Sequence, residues 1–334
     1  MSASKPVTAA AIMCLVEDGL LGLNRSFLDY VPELDGQSVA YLEEVRVGDL
    51  LCHLSGYDDM ELATYRVKGH HDRAPFPGPA DGQHEHTNIA IRTAGGAPLH
   101  SRPASEMNYS NFGFTLLGDI VRRVSGKPLW QFAHERLFEP LTMVDSHYAL
   151  PRALRARRVF RKADAPGNEV FGLWRGMDDE LNDDLDSGTG GLATTARDMA
   201  VFGQMLLNGG IYGGRRVLSP ASVATMTRSH VLPDVPQRFL VPDVTTGLTI
   251  ELATGGGYGY GLFCFEPGDR FEGNGSLMSS RSYGHGGLGG ACFWVDPDAE
   301  LVAVYFSVSP YYDRSVFHMQ ADLFQNALHA AIVA

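Results

Sequence analysis

The chain has 334 residues, 44% of them apolar, and its 27 basic against 39 acidic side chains give a formal charge of −12. That length and apolar content allow a large core divided between two lobes. The acidic balance argues against a nucleic-acid or anionic-membrane partner, and no apolar run approaches the roughly 20 residues of a membrane span.

The start shows no basic region, apolar stretch and cleavage site of a signal peptide. Cys14, Cys52, Cys264 and Cys292 sit in apolar contexts without C-x-x-C spacing and read as buried free thiols. A cytoplasmic location is the expectation. The first helix carries Val7, Ala10, Ala11, Cys14 and Leu15 at i, i+3, i+4 spacing and should end at Gly19 in a left-handed cap. At its start Ser2 stands three residues before Lys5, which places a hydroxyl and an amine on one face. The helix end favours a developing alkoxide and disfavours the ammonium, pushing the lysine toward its basic form. By itself the pair is a weak signal, because a serine and a lysine in a first turn are more often a cap and a solvated charge.

A short helix is expected within Val45 to Leu54, where His53 reads as a core histidine bonded to backbone. The stretch from Tyr57 to about Leu99 is irregular and carries His70, His71, His84, His86 and His100. Their spacing lacks the helical H-x-x-x-H and carboxylate pattern of a zinc enzyme, so no metal is expected and a solvated or substrate-lining loop is. Tyr109 and Asn111, two apart in an extended approach to a helix, can point the same way. The helix behind them carries Phe114, Leu117, Val121 and Val124 on one face, Gly126 caps it, and Pro128 starts another that Pro140 should stop.

The acidic run from Asp178 to Asp186 lacks the glycine and terminal glutamate of an EF-hand and reads as a solvated loop. Ser187 to Leu192 is a Gly-rich turn with no phosphate-loop lysine, read as backbone packing beside a site. Thr195 opens a helix through a capping box with Asp198 in the glutamate place, and Ser219-Pro220 opens another. In the last third, Tyr258 to Phe265, Ala291 to Val295 and Leu301 to Val308 are rich in aromatic and β-branched residues. They read as antiparallel strands, the last two joined at Asp296 to Ala299. Glycines from Gly284 to Gly290 mark a strand entrance open to close approach, and an amphipathic terminal helix through Val316, Met319 and Phe324 should cover the sheet.

In their order these motifs resemble the serine β-lactamase-related family of class C β-lactamases, D,D-peptidases and esterases. Ser2-Ala3-Ser4-Lys5 resembles its S-x-x-K, Tyr109-Ser110-Asn111 its Y-x-N, and His285-Gly286-Gly287 stands in the place of its K-T-G. The resemblance implies an α+β, two-lobe fold, an antiparallel sheet flanked by helices plus a mainly helical lobe, with residues 1–48 and 237–334 in one lobe and 49–236 in the other. It implies Ser2 as nucleophile, Lys5 and Tyr109 handling its proton, and Asn111 bonding Lys5 and substrate. The oxyanion donors are then the Ser2 and Leu288 backbone N–H groups, beside Gly287, and no cofactor is needed. His285 and Gly286 replace the lysine and threonine that help hold a substrate carboxylate. The expected substrate is therefore a small-molecule ester or amide, foremost a small carboxylic ester, hydrolysed through an acyl-enzyme. A β-lactamase, D,D-peptidase or acyltransferase activity and a catalytically silent binding protein are the alternatives, and the oligomeric state is open. Because family members carry a helix and strands ahead of the nucleophile, the natural chain is expected to start upstream of Met1.

Overall fold

One helix with no solvent face anchors the fold. The computed structural model describes residues 1–67, 91, 93–159, 187–242, 249–252, 256–265, 274–287, 290–307 and 314–332. A 3₁₀ turn, Ser2–Ser4, leads into α1 (Lys5–Glu17), buried from Lys5 through Leu15. The apolar spacing predicts one buried face. Ala9, Ile12 and Met13 fill the positions between, so the helix is apolar almost all round and lies inside the core. It ends as predicted: Gly19 takes φ +73°, with Leu20 N–H on the Leu15 carbonyl and Gly19 N–H on that of Val16.

The second helix, α2 (Val47–Leu51), is shorter than expected because Leu54 N–H turns back to the Asp49 carbonyl and His53 adopts φ +61°. α3 (Asp59–Val67) lies in the stretch read as irregular. Asp58 accepts the N–H groups of Met60 and Glu61, a cap that the Asp58-x-x-Glu61 spacing encodes. α4 (Asn111–Ser125) starts on a Ser110 cap and ends at Gly126, φ +71°. α5 (Leu129–Ala133) continues through a π turn, His134–Phe138, into Glu139–Leu141. That turn resets the register and places Pro140 in a first-turn position, where its missing N–H costs little, so the helix passes the proline. α6 (Ala196–Leu207) and α7 (Pro220–Met226) open on the Thr195 and Ser219 side-chain caps. Thr195 accepts Asp198 N–H, but Asp198 does not complete the box; its carboxylate takes Asp145 N–H and Ser146 Oγ–H.

After the small ribbon β2 (Ile211–Tyr212) and β3 (Arg215–Arg216), strand β4 (Gln237–Pro242) pairs parallel with β1 (Met107–Asn108) and antiparallel with β5 (Thr249–Leu252). The main sheet has the order β10-β9-β8-β7-β6, all antiparallel: β6 (Gly257–Tyr258), β7 (Phe263–Cys264), β8 (Tyr283–Gly287), β9 (Ala291–Asp296) and β10 (Leu301–Tyr305). Two expectations change here. Tyr258 to Phe265 is a pair of short strands around Gly261, and the Gly-rich segment from Tyr283 is the central strand rather than an entrance to one.

Alternation along β9 divides the packing. Phe293 and Val295 face the main core, where Phe202 of α6 meets Phe293 at 6.1 Å. Cys292 and Trp294 face α8 (Arg314–Ala330), whose Phe324 meets Trp294 edge-on at 5.9 Å. The four cysteines are free and buried, as predicted. No helix among the described residues is long and apolar enough to cross a membrane.

Candidate active site

Ser2 and Lys5 lie on consecutive turns at the head of α1, and Lys5 Nζ is 3.1 Å from Ser2 Oγ. The lysine is fully buried, and its two other partners are the Asn111 Oδ1 at 2.7 Å and the Thr189 carbonyl at 3.2 Å. Burial lowers the Lys5 pKa to about 7, partly opposed by the Asp59 charge. Both the amide oxygen and the carbonyl can only accept. A neutral lysine therefore gives its two hydrogens to them and turns its lone pair to the one partner able to donate, the Ser2 hydroxyl. This is the arrangement of a base on a nucleophile.

Asn111 is the first residue of α4, and its orientation follows from its neighbours. Its Nδ2 donates to Asp59 at 2.9 Å, while Oδ1 takes Lys5 and the Thr189 hydroxyl, the latter at 2.9 Å. Thr189 arrives on the Gly-rich turn, seated between α1 and α4: a Cβ on Gly188 would lie 2.5 Å from the Phe114 carbonyl. The expectation of backbone packing beside a site describes this turn, and it also supplies a site group through a main-chain oxygen.

Tyr109 presents its ring to the lysine, whose Nζ is 5.0 Å from the ring centroid. The ring packs on His53 at 4.3 Å and on Phe239 of β4 at 4.5 Å. Strand pairing seats it, with Tyr109 N–H on the Arg238 carbonyl. His53 brackets the same segment: its carbonyl accepts Asn108 N–H and its Nδ1 accepts Ser110 N–H. It is thus the backbone-bonded core histidine predicted. Burial, then Lys5 and His285, hold it neutral, and its Nε2 has no hydrogen-bond partner among the described residues.

β8 runs against the Ser2–Ser4 turn. A Cβ on Gly287 would lie 3.1 Å from the Met1 Cβ, 3.3 Å from Ala3 N and 3.4 Å from Ser2 N, so the strand passes close against this turn. His285 is buried with both ring nitrogens engaged, Nδ1 with the Gly286 carbonyl at 2.5 Å and Nε2 with the Tyr258 hydroxyl at 3.0 Å. The carbonyl only accepts, so the proton sits on Nδ1 and Tyr258 donates to Nε2. Burial, then Lys5, lowers its pKa to about 3. The sequence suggests a partly charged histidine at neutral pH; in the fold it is neutral throughout that range.

The structure thus brings together Ser2, Lys5, Tyr109, Asn111 and Gly287, with His285 behind them. Leu288, expected beside Gly287, lies outside the described residues, as do His70, His71, His84, His86 and the acidic run from Asp178 to Asp186. His100 binds Glu61 at 2.7 Å and Arg238 at 2.8 Å. Sequence analysis missed Asp59, Thr189 and Tyr258. Asp59 left a readable trace as the residue after a helix cap, and Thr189 through the Gly-rich turn read as packing beside a site, whereas Tyr258 left none.

The profile of the family described as Beta-lactamase matches residues 1–325. Protein Rv1367c of Mycobacterium tuberculosis is 29% identical over 331 residues, covering 91% of this chain and 75% of its own. Among solved structures, EstCE1, described as a hydrolase with promiscuous acyltransferase activity, superposes with a TM-score of 0.68 at 21% identity, covering 97% of this chain and 83% of that one. A family VIII carboxylesterase does so at 0.61 and 21% identity, covering 97% and 82%. The family matched over nearly the whole chain is the one that the order of motifs resembles, and the fold is shared with these solved hydrolases: the chain belongs to the beta-lactamase family.

Proposed function

We propose that the protein is a serine esterase that hydrolyses small, uncharged carboxylic esters through an acyl-enzyme on Ser2. The observation that carries this reading is the buried Lys5 amine, bonded to Ser2 Oγ and two pure acceptors and brought to a pKa of about 7. Neutral Lys5 takes the Ser2 proton as Oγ bonds to the ester carbonyl carbon. By the resemblance of the motifs, the oxyanion donors are the backbone N–H group of Ser2 and that of Leu288, which lies outside the described residues. Collapse expels the alkoxide, which takes the proton back from Lys5 with Tyr109 assisting, and water then attacks the acyl-enzyme by the same route.

The chemistry around β8 narrows the substrate. His285 carries no charge and spends both nitrogens on the protein, and Gly286 has no hydroxyl, so neither offers a substrate carboxylate an anchor. Half-buried Phe239 and Phe263 flank the Tyr109 ring and suit an apolar acyl or alcohol group. EstCE1 and the family VIII carboxylesterase share the fold, which supports an esterase without naming its substrate.

The test uses purified protein on p-nitrophenyl acetate, butyrate and octanoate, with nitrocefin as the β-lactam. Ester turnover should exceed nitrocefin turnover, and Ser2→Ala should abolish it. Ester hydrolysis that survives Ser2→Ala, or a preference for nitrocefin, overturns the proposal.

A further inference from the structure

We infer that Asp59, in the first turn of α3, is a positioning residue that sets which way the Asn111 amide faces and thereby holds Lys5 against Ser2. The inference rests on Ser2 and Lys5 being the reacting pair. Asp59 accepts four hydrogen bonds from three consecutive residues. Oδ1 takes Ser110 Oγ–H at 2.8 Å and Phe112 N–H at 3.2 Å; Oδ2 takes Asn111 N–H at 2.7 Å and Asn111 Nδ2–H at 2.9 Å.

The two ends of an asparagine amide are nearly equal in size, so only their partners select the orientation. A carboxylate can only accept. The end of Asn111 beside Asp59 must therefore be the NH₂, and the oxygen is turned toward the Lys5 amine and the Thr189 hydroxyl, both donors. With the amide reversed, an oxygen would face a carboxylate and an NH₂ would face the lysine. Asp59 also receives backbone N–H groups from the first turn of α4 while sitting in the first turn of α3. Two helix N-termini thus converge on it.

The electrostatics agree with this geometry. Around Lys5 stand the Tyr109 and Phe114 rings, the neutral imidazoles of His53 and His285, and Asp59. Among the described residues, Asp59 is the anion that partly offsets the cost of burying the ammonium. Losing that anion should make Lys5 a weaker base.

A helix cap alone would do none of this, and the experiment separates the two roles. The chain has four lysines, Lys5, Lys68, Lys127 and Lys162. Their ¹³Cε signals can be titrated by NMR, with Lys5 assigned by its absence from Lys5→Met. In Asp59→Asn the Lys5 midpoint should move down from its wild-type value near 7. The acid limb of kcat/KM for p-nitrophenyl butyrate should move with it, and kcat should fall about tenfold or more with KM little changed. In an Asn111→Ala background the same substitution should add less than about threefold, since the group it orients is gone.

A folded Asp59→Asn with an unmoved Lys5 midpoint and unchanged kcat, or a full additional loss in Asn111→Ala, overturns the inference. Should Asp59→Asn not fold, the exchange Asp59→Asn/Asn111→Asp keeps one carboxylate and one amide at the junction and turns the carboxylate to Lys5. Its Lys5 midpoint should then rise above wild type, and a midpoint at or below wild type overturns the inference. The NMR arm needs no turnover, so a protein inactive on esters sinks the esterase reading while leaving this one to its own result.

Discussion

Lys5 and Asp296 are both buried charges, and the fold treats them in opposite ways. Asp296, where β9 ends, accepts Ser279 Oγ–H at 2.6 Å and N–H at 2.8 Å, the N–H groups of Asp298 and Ala299, and His329 Nε2 at 3.0 Å. Burial alone would raise its pKa; the Ser279 bonds, then Ala299 and His329, bring it down to about 2. Lys5 has three partners, yet burial wins there and the pKa falls to about 7. The difference lies in which forms the partners accept. The Ser279 hydroxyl and the backbone N–H groups of Ser279, Asp298 and Ala299 all donate to Asp296, so the carboxylate is the form they fit. Ser2 Oγ can either accept from Lys5 or donate to it, so both of its forms fit. A charge whose neighbours suit one form holds the chain together; one whose neighbours suit both is ready to exchange a proton.

Substituting the lysine tests this contrast most severely. Lys5→Met should lower ester kcat/KM by about 10³-fold, within the range of a lost proton-transfer group. It should also stabilise the protein near neutral pH by about 1–2 kcal/mol, as removing a buried cation without a full countercharge does. The folded pKa lies below the unfolded one, so between pH 7 and the ordinary lysine value the unfolded chain binds more protons and wild-type stability rises with pH. Urea unfolding at several values across that window should show the slope in wild type and lose it in Lys5→Met.

Asp296→Ala should do the reverse. It removes five acceptor contacts that tie the turn after β9 to Ser279 and α8, and about 2–4 kcal/mol of stability should go while the folded fraction keeps its kcat. Because the folded pKa is depressed, this contribution is present above the ordinary aspartate range and is lost as pH falls toward 2. Acid titration of thermal stability should therefore be steeper in wild type than in the variant.

Smaller effects sharpen the same comparison. If Lys5 acts as the neutral base, kcat/KM should fall about tenfold per unit as pH drops below about 7 and level off above it. A log-rate profile flat from pH 5 to 8 would remove Lys5 from that role. Gly286→Thr is the mildest change proposed. A Cβ there meets nothing nearer than the Ala291 carbonyl at 4.0 Å, so the variant should fold with Tm within a few degrees of wild type. A restored hydroxyl without a nearby cation should raise nitrocefin turnover by only a few-fold. A larger gain would show that the missing threonine, more than the missing lysine, excludes β-lactams.

How far the site can be read from the sequence depends on how local each part is. Ser2 with Lys5 and Tyr109 with Asn111 are separated by one helical turn and by two extended residues, so spacing alone pairs them. Asp59 meets Asn111 across 52 positions because α3 docks on the head of α4, and no periodicity records that contact. Thr189 contributes its main-chain carbonyl, which any residue carries. β8 contains three glycines in five residues and lacks the β-branched signal of a strand; its neighbours β7 and β9 supply the hydrogen bonds that make it one. The neutrality of His285 follows from its burial beside Lys5, which composition cannot show. The strands β9 and β10, in contrast, combine dense β-branched and aromatic residues with an Asp-Pro-Asp turn and were legible to within a few positions.

The glycines around α1 set a limit on remodelling the enzyme. Gly188, Gly261 and Gly287 each bring main chain against α1, the turn before it or its neighbour α4, with hypothetical Cβ atoms 2.5 Å from the Phe114 carbonyl, 2.9 Å from the Lys5 carbonyl and 3.4 Å from Ser2 N. At Gly188 and Gly261 a Cβ would fall within 3.0 Å of main chain, which cannot swing aside, whereas at Gly287 the contacts are looser and the first is the Met1 side chain at 3.1 Å. A mutant library meant to widen the substrate range should leave Gly188 and Gly261 untouched and diversify Phe239 and Phe263 on the half-exposed aromatic wall, where a new shape can be added without moving Ser2 or Lys5.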